Sequence, residues 1–299
     1  MPVIEPALLD TLDRYLTCEF ATLSRDGTPI AWPTTPLPCG DGTFLITTSV
    51  AFPQKAFNVR RDGRVALLFS NPTGTGLANP PQVMIGGEAT CPDVINVVPE
   101  GDLGRFWRRI FERQPSSHKF LQPLTRNLMD WYFMRLLIRI TPRLVESNVL
   151  PASAASQPAD GVPGSKTVAR YPSAVLGARD KNGNPILRRV TVDALDGRYQ
   201  IHLPHDADMT SGPASLLVHR HDEHLADMHN ASVAGILEGS AASGWSLLPR
   251  RIIEPVGDDS LLGRIRSARR CRATADQYLT RRGLARPSIP WADYRALLP

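Results

Sequence analysis

Three short patterns occur twice in this chain, in the same order, and that repetition limits the fold more than any other feature. Arg25-Asp26-Gly27-Thr28-Pro29-Ile30 returns as Arg179-Asp180-Lys181-Asn182-Gly183-Asn184-Pro185-Ile186. Asp41-Gly42-Thr43-Phe44-Leu45-Ile46 returns as Asp196-Gly197-Arg198-Tyr199-Gln200-Ile201, and Pro142-Arg143-Leu144-Val145-Glu146 as Pro249-Arg250-Arg251-Ile252-Ile253-Glu254. A polar residue followed by glycine between apolar runs marks a hairpin, because glycine takes positive φ without steric cost. The chain is therefore expected to hold two copies of one hairpin-based β unit. A pseudo-twofold relation between them would bring Gly27 over Gly183 and Gly42 over Gly197.

The first copy is the more legible. Phe20-Ala-Thr-Leu-Ser is a strand that turns at Arg25–Thr28 into a second strand, Pro29–Thr35. After the turn at Cys39–Gly42, Thr43–Thr48 forms a third strand ending in a polar corner at Thr47, Thr48 and Ser49. Pro53 suits a first helical turn, with Phe52, Ala56 and Val59 on one face. Asp62-Gly63 ends that helix, and Arg64–Asn71 reads as a buried strand. The Gly- and Pro-rich stretch Pro72–Pro81 is expected as a loop near a pocket mouth, and Gln82–Thr90 as a fifth strand, its Gly86-Gly87 pair fitting a bulge. Leu103, Phe106, Trp107, Ile110 and Phe111 form a helical stripe. With Leu121, Leu124, Leu128 and Trp131 they predict a helical insertion whose aromatic residues are core, before a closing strand from Arg135.

Lys55 stands in the first turn of the Pro53 helix, where free N–H groups and the helix dipole favour an anion. Only four of the 34 basic residues other than histidine are lysines (34 − 4 = 30 arginines), so a lysine there stands out.

The succession of strand, Arg-Asp-Gly turn, strand, Asp-Gly turn, strand, lysine-bearing helix and buried strand resembles the flavin-binding split-barrel family. That family includes pyridoxamine 5′-phosphate oxidase and the deazaflavin-dependent reductases. The oxidase branch commonly carries Ser-Arg-Lys where the helix begins, its Arg and Lys gripping the FMN phosphate; here Pro53-Gln54-Lys55 keeps the lysine and replaces the arginine. The resemblance implies a mainly β fold with α insertions, two tandem split β-barrels packed as an intramolecular version of the family's homodimer, with further homo-oligomerisation left open. It implies a cofactor at the interface, FMN or alternatively the deazaflavin F420, and an oxidoreductase acting on an unidentified small molecule. A haem or flavin carrier without turnover is the competing reading. The implied cofactor shell is Trp32, Thr34, Thr47, Thr48, Ser49, Gln54 and Lys55, with Arg60, Arg61 and Arg64 as a basic rim and Trp245 and Arg250 from the second copy. No dyad or triad demanding protein-borne acid–base or covalent chemistry stands out, so no catalytic residue is assigned.

Division of the chain follows from the repeats: a first barrel over 1–147, a linker over 148–167 whose Pro-, Ala- and Ser-rich stretch has no apolar periodicity, a shorter second barrel over 168–256, and a basic C-terminal helix and tail over 257–299. In the second copy, Gly212–His219 takes the place of the lysine-bearing helix, with Ala214 and Ser215 where Gln54 and Lys55 stand, so the anion grip is expected to be missing there. A cluster of His219, His221, His224 and His229 appears instead. Placed at a helix end and at the two ends of the next strand, these side chains need not converge, and no metal is assigned.

Hydrophobic content of 42% with 21% charge indicates a globular protein. The net charge of +5 is mildly basic. Arg264, Arg266, Arg269, Arg270 and Arg272 on a helix beginning near Asp258–Ser260 carry no interleaved aromatic residues, which favours a docked helix with a solvated face over a nucleic-acid arm. The start of the chain lacks the pattern of a secretory signal, no apolar run is long enough to suggest a membrane span, and Cys18, Cys39, Cys91 and Cys271 lack zinc-like spacing. A cytoplasmic protein with free thiols is the expectation.

Overall fold

In the computed structural model, residues 4–299 are described except 153, 155, 204–207 and 254–260, and the side chains of 261, 262 and 264. The expected helix start at Asp258–Ser260, Glu254 of the third repeat, and the side chains of Leu261, Leu262 and Arg264 lie outside the described residues.

The first half is one curled seven-stranded antiparallel sheet. Its strands are β1 (Cys18–Leu23), β2 (Pro29–Thr34), β3 (Leu37–Pro38), β4 (Phe44–Ser49), β5 (Arg64–Phe69), β6 (Gln82–Thr90) and β7 (Arg135–Asn148), in the order β2-β1-β5-β6-β7-β4-β3. The two ends of that order, β2 and β3, are consecutive in the chain, so the sheet wraps into a barrel that stays split there. Proline explains the split: Pro33, Pro36 and Pro38 cannot donate to a ladder.

The second half repeats the same order with the split closed. β8 (Ala174–Arg179), β9 (Pro185–Leu195), β10 (Arg198–His202), β11 (Thr210–Arg220), β12 (His229–Ser240) and β13 (Gly244–Ile253) form a six-stranded barrel. Here β9 is one uninterrupted strand that pairs with β8 through its first part and with β10 through its last. The repeated turns match in detail: Gly27 and Gly183 have φ of +78° and +80°, and Gly42 and Gly197 of +78° and +76°. The third repeat also has a structural cause. Pro142 and Pro249 lie opposite Gly87 and Gly235 at a β-bulge in each barrel, where a Cβ on the glycine would run into the carbonyl of Thr141 or Leu248.

One sequence reading is corrected here. Gly212–His219 is not a helix but most of β11, hydrogen-bonded between β8 and β12. Its counterpart in the first barrel is therefore β5, and Ala214 and Ser215 do not correspond to Gln54 and Lys55. Fourteen residues separate β4 from β5 (64 − 49 − 1), whereas seven separate β10 from β11 (210 − 202 − 1), too few to hold an eight-residue helix and its connections.

Helices cover the first barrel. α1 (Pro6–Arg14) buries Leu12, α2 (Gln54–Arg61) buries Ala56 and Val59, and α3 (Gly101–Arg113) presents Leu103, Phe106, Trp107, Ile110 and Phe111 to the core. α4 (Pro123–Phe133) buries Trp131, but Leu124 is 96% exposed and Phe52 is 54% exposed, against the core placement their spacing predicts. The stretch ahead of the second barrel packs against it: Val162 is buried, the carbonyl of Pro163 accepts from Tyr199 at 2.7 Å, and a short helix, α5 (Ser165–Val168), follows. At the C-terminus, α6 (Leu261–Thr280) buries Ala275, Tyr278 and Leu279 against the first barrel while Arg266, Arg269 and Arg270 face solvent, and α7 (Trp291–Arg295) buries Tyr294. No helix among the described residues is long and apolar enough to cross a membrane.

The two barrels meet through small side chains. Ala21, Ala31 and Ala66 of the first pack into the core of the second, and Ser215 donates to the carbonyl of Pro29. Close approach of the two sheets packs β11 and β12 against β2.

Candidate functional site

A cleft of about 460 Å³ opens where the barrels meet. The first barrel contributes Trp32, Thr34, Phe52, Lys55, Phe106, Tyr132 and Arg135, and the second contributes His219, Arg220, His221, Met228 and His229. A volume of that size suits a small-molecule ligand.

Lys55 is the second residue of α2 and half-buried. Its ammonium lies 5.2 Å from the centre of the Trp32 ring, and among the described residues no carboxylate pairs with it. Burial, helped by the charge of Arg135, lowers its pKa to about 8.

Arg135 opens β7 and is buried. Its Nε and one terminal nitrogen donate to Thr47 Oγ1 at 2.9 and 2.6 Å, and the other terminal nitrogen donates to the carbonyl of Tyr132 at 3.2 Å. The guanidinium lies 5.2–5.4 Å from the ring centres of Phe106, Trp107 and Tyr132. Burial holds its pKa below the usual arginine value, with only partial relief from the neighbouring hydroxyls of Tyr132 and Tyr294. Again no carboxylate faces it among the described residues. Behind it Trp107 stacks on Phe133 and meets Tyr294 edge-on, so α3, α4 and α7 together back the guanidinium. Burying one cation without a counter-ion is costly, and setting two side by side adds repulsion. Such an arrangement is relieved by a bound anion.

The opposite wall is neutralised from within. Asp227 takes both Arg220 (3.3 Å) and His229 (2.8 Å). His221 donates from Nδ1 to the carbonyl of Asp222 at 3.0 Å, which leaves Nε2 to accept from Thr17 Oγ1 at 3.0 Å; burial lowers its pKa. Beneath the cleft a buried network crosses from one barrel to the other. Glu19 Oε1 accepts from Arg189 at 2.8 Å and from His219 Nε2 at 2.6 Å, while Oε2 accepts from Ser70 at 2.8 Å. Arg189 also donates to Ser70 Oγ at 2.9 Å and to Ser173 Oγ at 2.8 Å. Burial alone would raise the Glu19 pKa, but the charge of Arg189 and the hydrogen bonds from His219 and Ser70 hold it below the usual range.

Of the residues singled out from the sequence, Trp32, Thr34 and Lys55 line the cleft. Thr47, Thr48 and Ser49 are buried behind it: Thr47 holds Arg135, Thr48 donates to the carbonyl of Phe52 and Ser49 to that of Trp131. Gln54 turns along its own helix to Asn58. The basic rim is not at the cleft. Arg60 is bound to the carbonyl of Cys91 and to Asp93, Arg61 to the carbonyl of Leu23, and Arg64 to Asp62 and, across to the second barrel, the carbonyl of Gly183, so each is held by acceptors that do not line the cleft. Trp245 is buried within the second barrel and Arg250 is exposed on β13; neither lines the cleft, which meets that barrel where the end of β11 pairs with the start of β12, at Arg220 and His229. Among the described residues no group of histidines, cysteines and acids could hold a metal, and His224 lies apart, with Glu223, on a hollow facing Pro72–Leu77. The Pro72–Pro81 loop thus faces that hollow and not the mouth of the cleft.

Sequence reading missed Arg135, Tyr132 and the role of His219. An arginine between an aromatic helix end and an apolar strand was the available signal for Arg135. For His219 there was none, because its partners, Glu19 and Arg189, come from two other strands distant in sequence.

Compared by sequence, the chain matches no protein-family model and no curated protein. Solved structures do match. A pyridoxamine 5′-phosphate oxidase-like protein from Listeria innocua is 20% identical, with a TM-score of 0.32 over 47% of this chain and 94% of its own. An F420 reductase is 22% identical, with a TM-score of 0.33 over 49% of this chain and 98% of its own. HutZ, the haem storage protein from Vibrio cholerae, is 12% identical, with a TM-score of 0.33 over 49% of this chain and 96% of its own. Each neighbour covers about half of this chain. By its own strand order, repeated in the two halves, the chain is a tandem of two β-barrels, the first split and the second closed.

Proposed function

We propose that the inter-barrel cleft binds a phosphorylated aromatic cofactor of the flavin type, FMN or the deazaflavin F420, and that the protein is a cytoplasmic oxidoreductase acting on a small molecule. The observation that carries this reading is the pair of cations at Lys55 and Arg135, set together in a partly buried cleft with no acid to neutralise either. A phosphate would meet a compact ammonium near the start of α2 and a guanidinium already oriented by Thr47, Tyr132 and three rings. The rest of the cleft suits a ring. Trp32 offers a flat face, and Phe52 and Met228, both 54% exposed, set apolar lips on the two barrels. Exposed side chains of that size gain by covering an aromatic ligand.

When bound, such a cofactor supplies hydride or electron transfer. The protein's share is to neutralise the phosphate, to hold the ring between two barrels, and to keep water from the face turned to Trp32. Absorbance and mass spectra of ligand released from freshly purified protein test the reading and separate FMN from F420. Release of haem, or failure of the purified protein to bind either FMN or F420 on titration, would overturn it.

A further inference from the structure

The network beneath the cleft contains a nitrogen with nothing to do. His219 is only 2% exposed in its side chain and lines the cleft, yet its Nδ1 is buried and has no hydrogen-bond partner among the described residues. Its other nitrogen is committed: Nε2 stands 2.6 Å from Glu19 Oε1, and an ionised carboxylate only accepts, so Nε2 carries a proton. In the neutral ring, Nδ1 is then a lone-pair acceptor. A buried polar atom left unpaired costs free energy, and of the five such side-chain atoms among the described residues this is the one whose residue lines the cleft.

Position strengthens the point. Phe20 pairs with Leu67 in the first barrel and Leu176 with Leu216 in the second, so three residues further along, Ser70 and His219 occupy corresponding places. Both bond to the same Glu19. Serine is enough to complete the network; the imidazole adds a second polar atom that the network does not use.

We propose that His219 is a recognition residue of the cleft, accepting through Nδ1 a hydrogen bond from an N–H or O–H group of the bound ligand while Glu19 holds the ring in place. This rests on the cleft being the ligand site described above. It assigns the two barrels different tasks: Lys55 and Arg135 of the first take the anionic end, and His219 of the second reads a neutral donor, such as the ring imide N–H or a ribityl hydroxyl of FMN. A ligand that is only an anion would not use it.

The experiment compares FMN with inorganic phosphate on the full chain, as wild type, His219→Gln and Lys55→Met. Glutamine can keep an N–H directed at Glu19 but has nothing at the position of Nδ1. His219→Gln should bind phosphate like the wild type and FMN roughly three- to tenfold more weakly, the usual weight of one neutral hydrogen bond. Lys55→Met should weaken both. Long-range ¹H–¹⁵N spectra of the wild-type imidazoles give a measurement that needs no variant: the His219 Nδ1 resonance should move on adding FMN and stay on adding phosphate. Equal losses for FMN and phosphate in His219→Gln, unchanged FMN affinity, or an unmoved Nδ1 resonance with FMN bound would overturn the assignment. Unchanged binding of both probes by Lys55→Met, or no binding of FMN by the wild type, would instead overturn the ligand site itself.

Discussion

Replacing Lys55 by methionine separates the site's role in binding from its role in folding. Among the described residues the ammonium has one favourable contact, the face of Trp32 at 5.2 Å, worth about 0.5–1 kcal/mol. Against it stand partial burial and repulsion from Arg135, the two causes that lower its pKa to about 8. Burial and repulsion outweigh that contact, so the Lys55→Met protein should be at least as stable as the wild type when empty, with a thermal midpoint unchanged or raised. Binding should respond far more. A charge-assisted contact to phosphate contributes about 1.5–3 kcal/mol, so Lys55→Met should raise the Kd for FMN roughly 10- to 150-fold. The pH dependence has a definite sign. Lys55 is charged below about 8, so affinity is full there and falls as pH rises through that value. The ligand phosphate, with its second pKa about 6, is already dianionic and adds nothing to this change. Stability of the empty protein moves the opposite way. Between about 8 and the unperturbed lysine value the unfolded chain binds more protons, so stability rises with pH. Fluorescence titration with FMN from pH 6.5 to 9.5 and thermal melts of both proteins measure all of this. A Lys55→Met protein that binds as tightly as the wild type, or that keeps the fall in affinity near pH 8, would refute the reasoning.

Glu19→Gln should cost about 3–5 kcal/mol by urea denaturation, because Arg189 would remain buried without its counter-charge. In the wild type the contribution of Glu19 should be complete above the unfolded glutamate pKa and be lost as pH falls through its lower native value, which an acid titration of stability would show. Gly183→Ala should destabilise by about 1–2 kcal/mol, since φ there is +80° and the new methyl would press on Arg64; thermal melts check it. Calorimetric titration should give one FMN per chain. The place of Trp32 in the second barrel is taken by Arg188, already paired with Glu146, and the connection from β10 to β11 is too short for a lysine-bearing helix; two equal sites would contradict this.

Local patterns were legible because their causes are local. Gly27 and Gly183 must turn the chain with positive φ, the bulge glycines Gly87 and Gly235 face their prolines across one ladder, and α2 begins just ahead of Lys55 after a proline. Those features suffice for two barrel units and for one member of the proposed anion seat. The Gly212–His219 run misled because a short apolar stretch fits helix or strand equally well; pairing with β8 and β12 on both sides decided it. The same limit applies to charge. Arg60, Arg61 and Arg64 adjoin Lys55 in sequence yet each turns to a separate acceptor, whereas Arg135, far along the chain, shares its cleft. Which cation stays unpaired depends on where every acid and carbonyl ends up. That is a property of the assembled barrels, as is the meeting of Glu19, Arg189 and His219 from three strands in two domains.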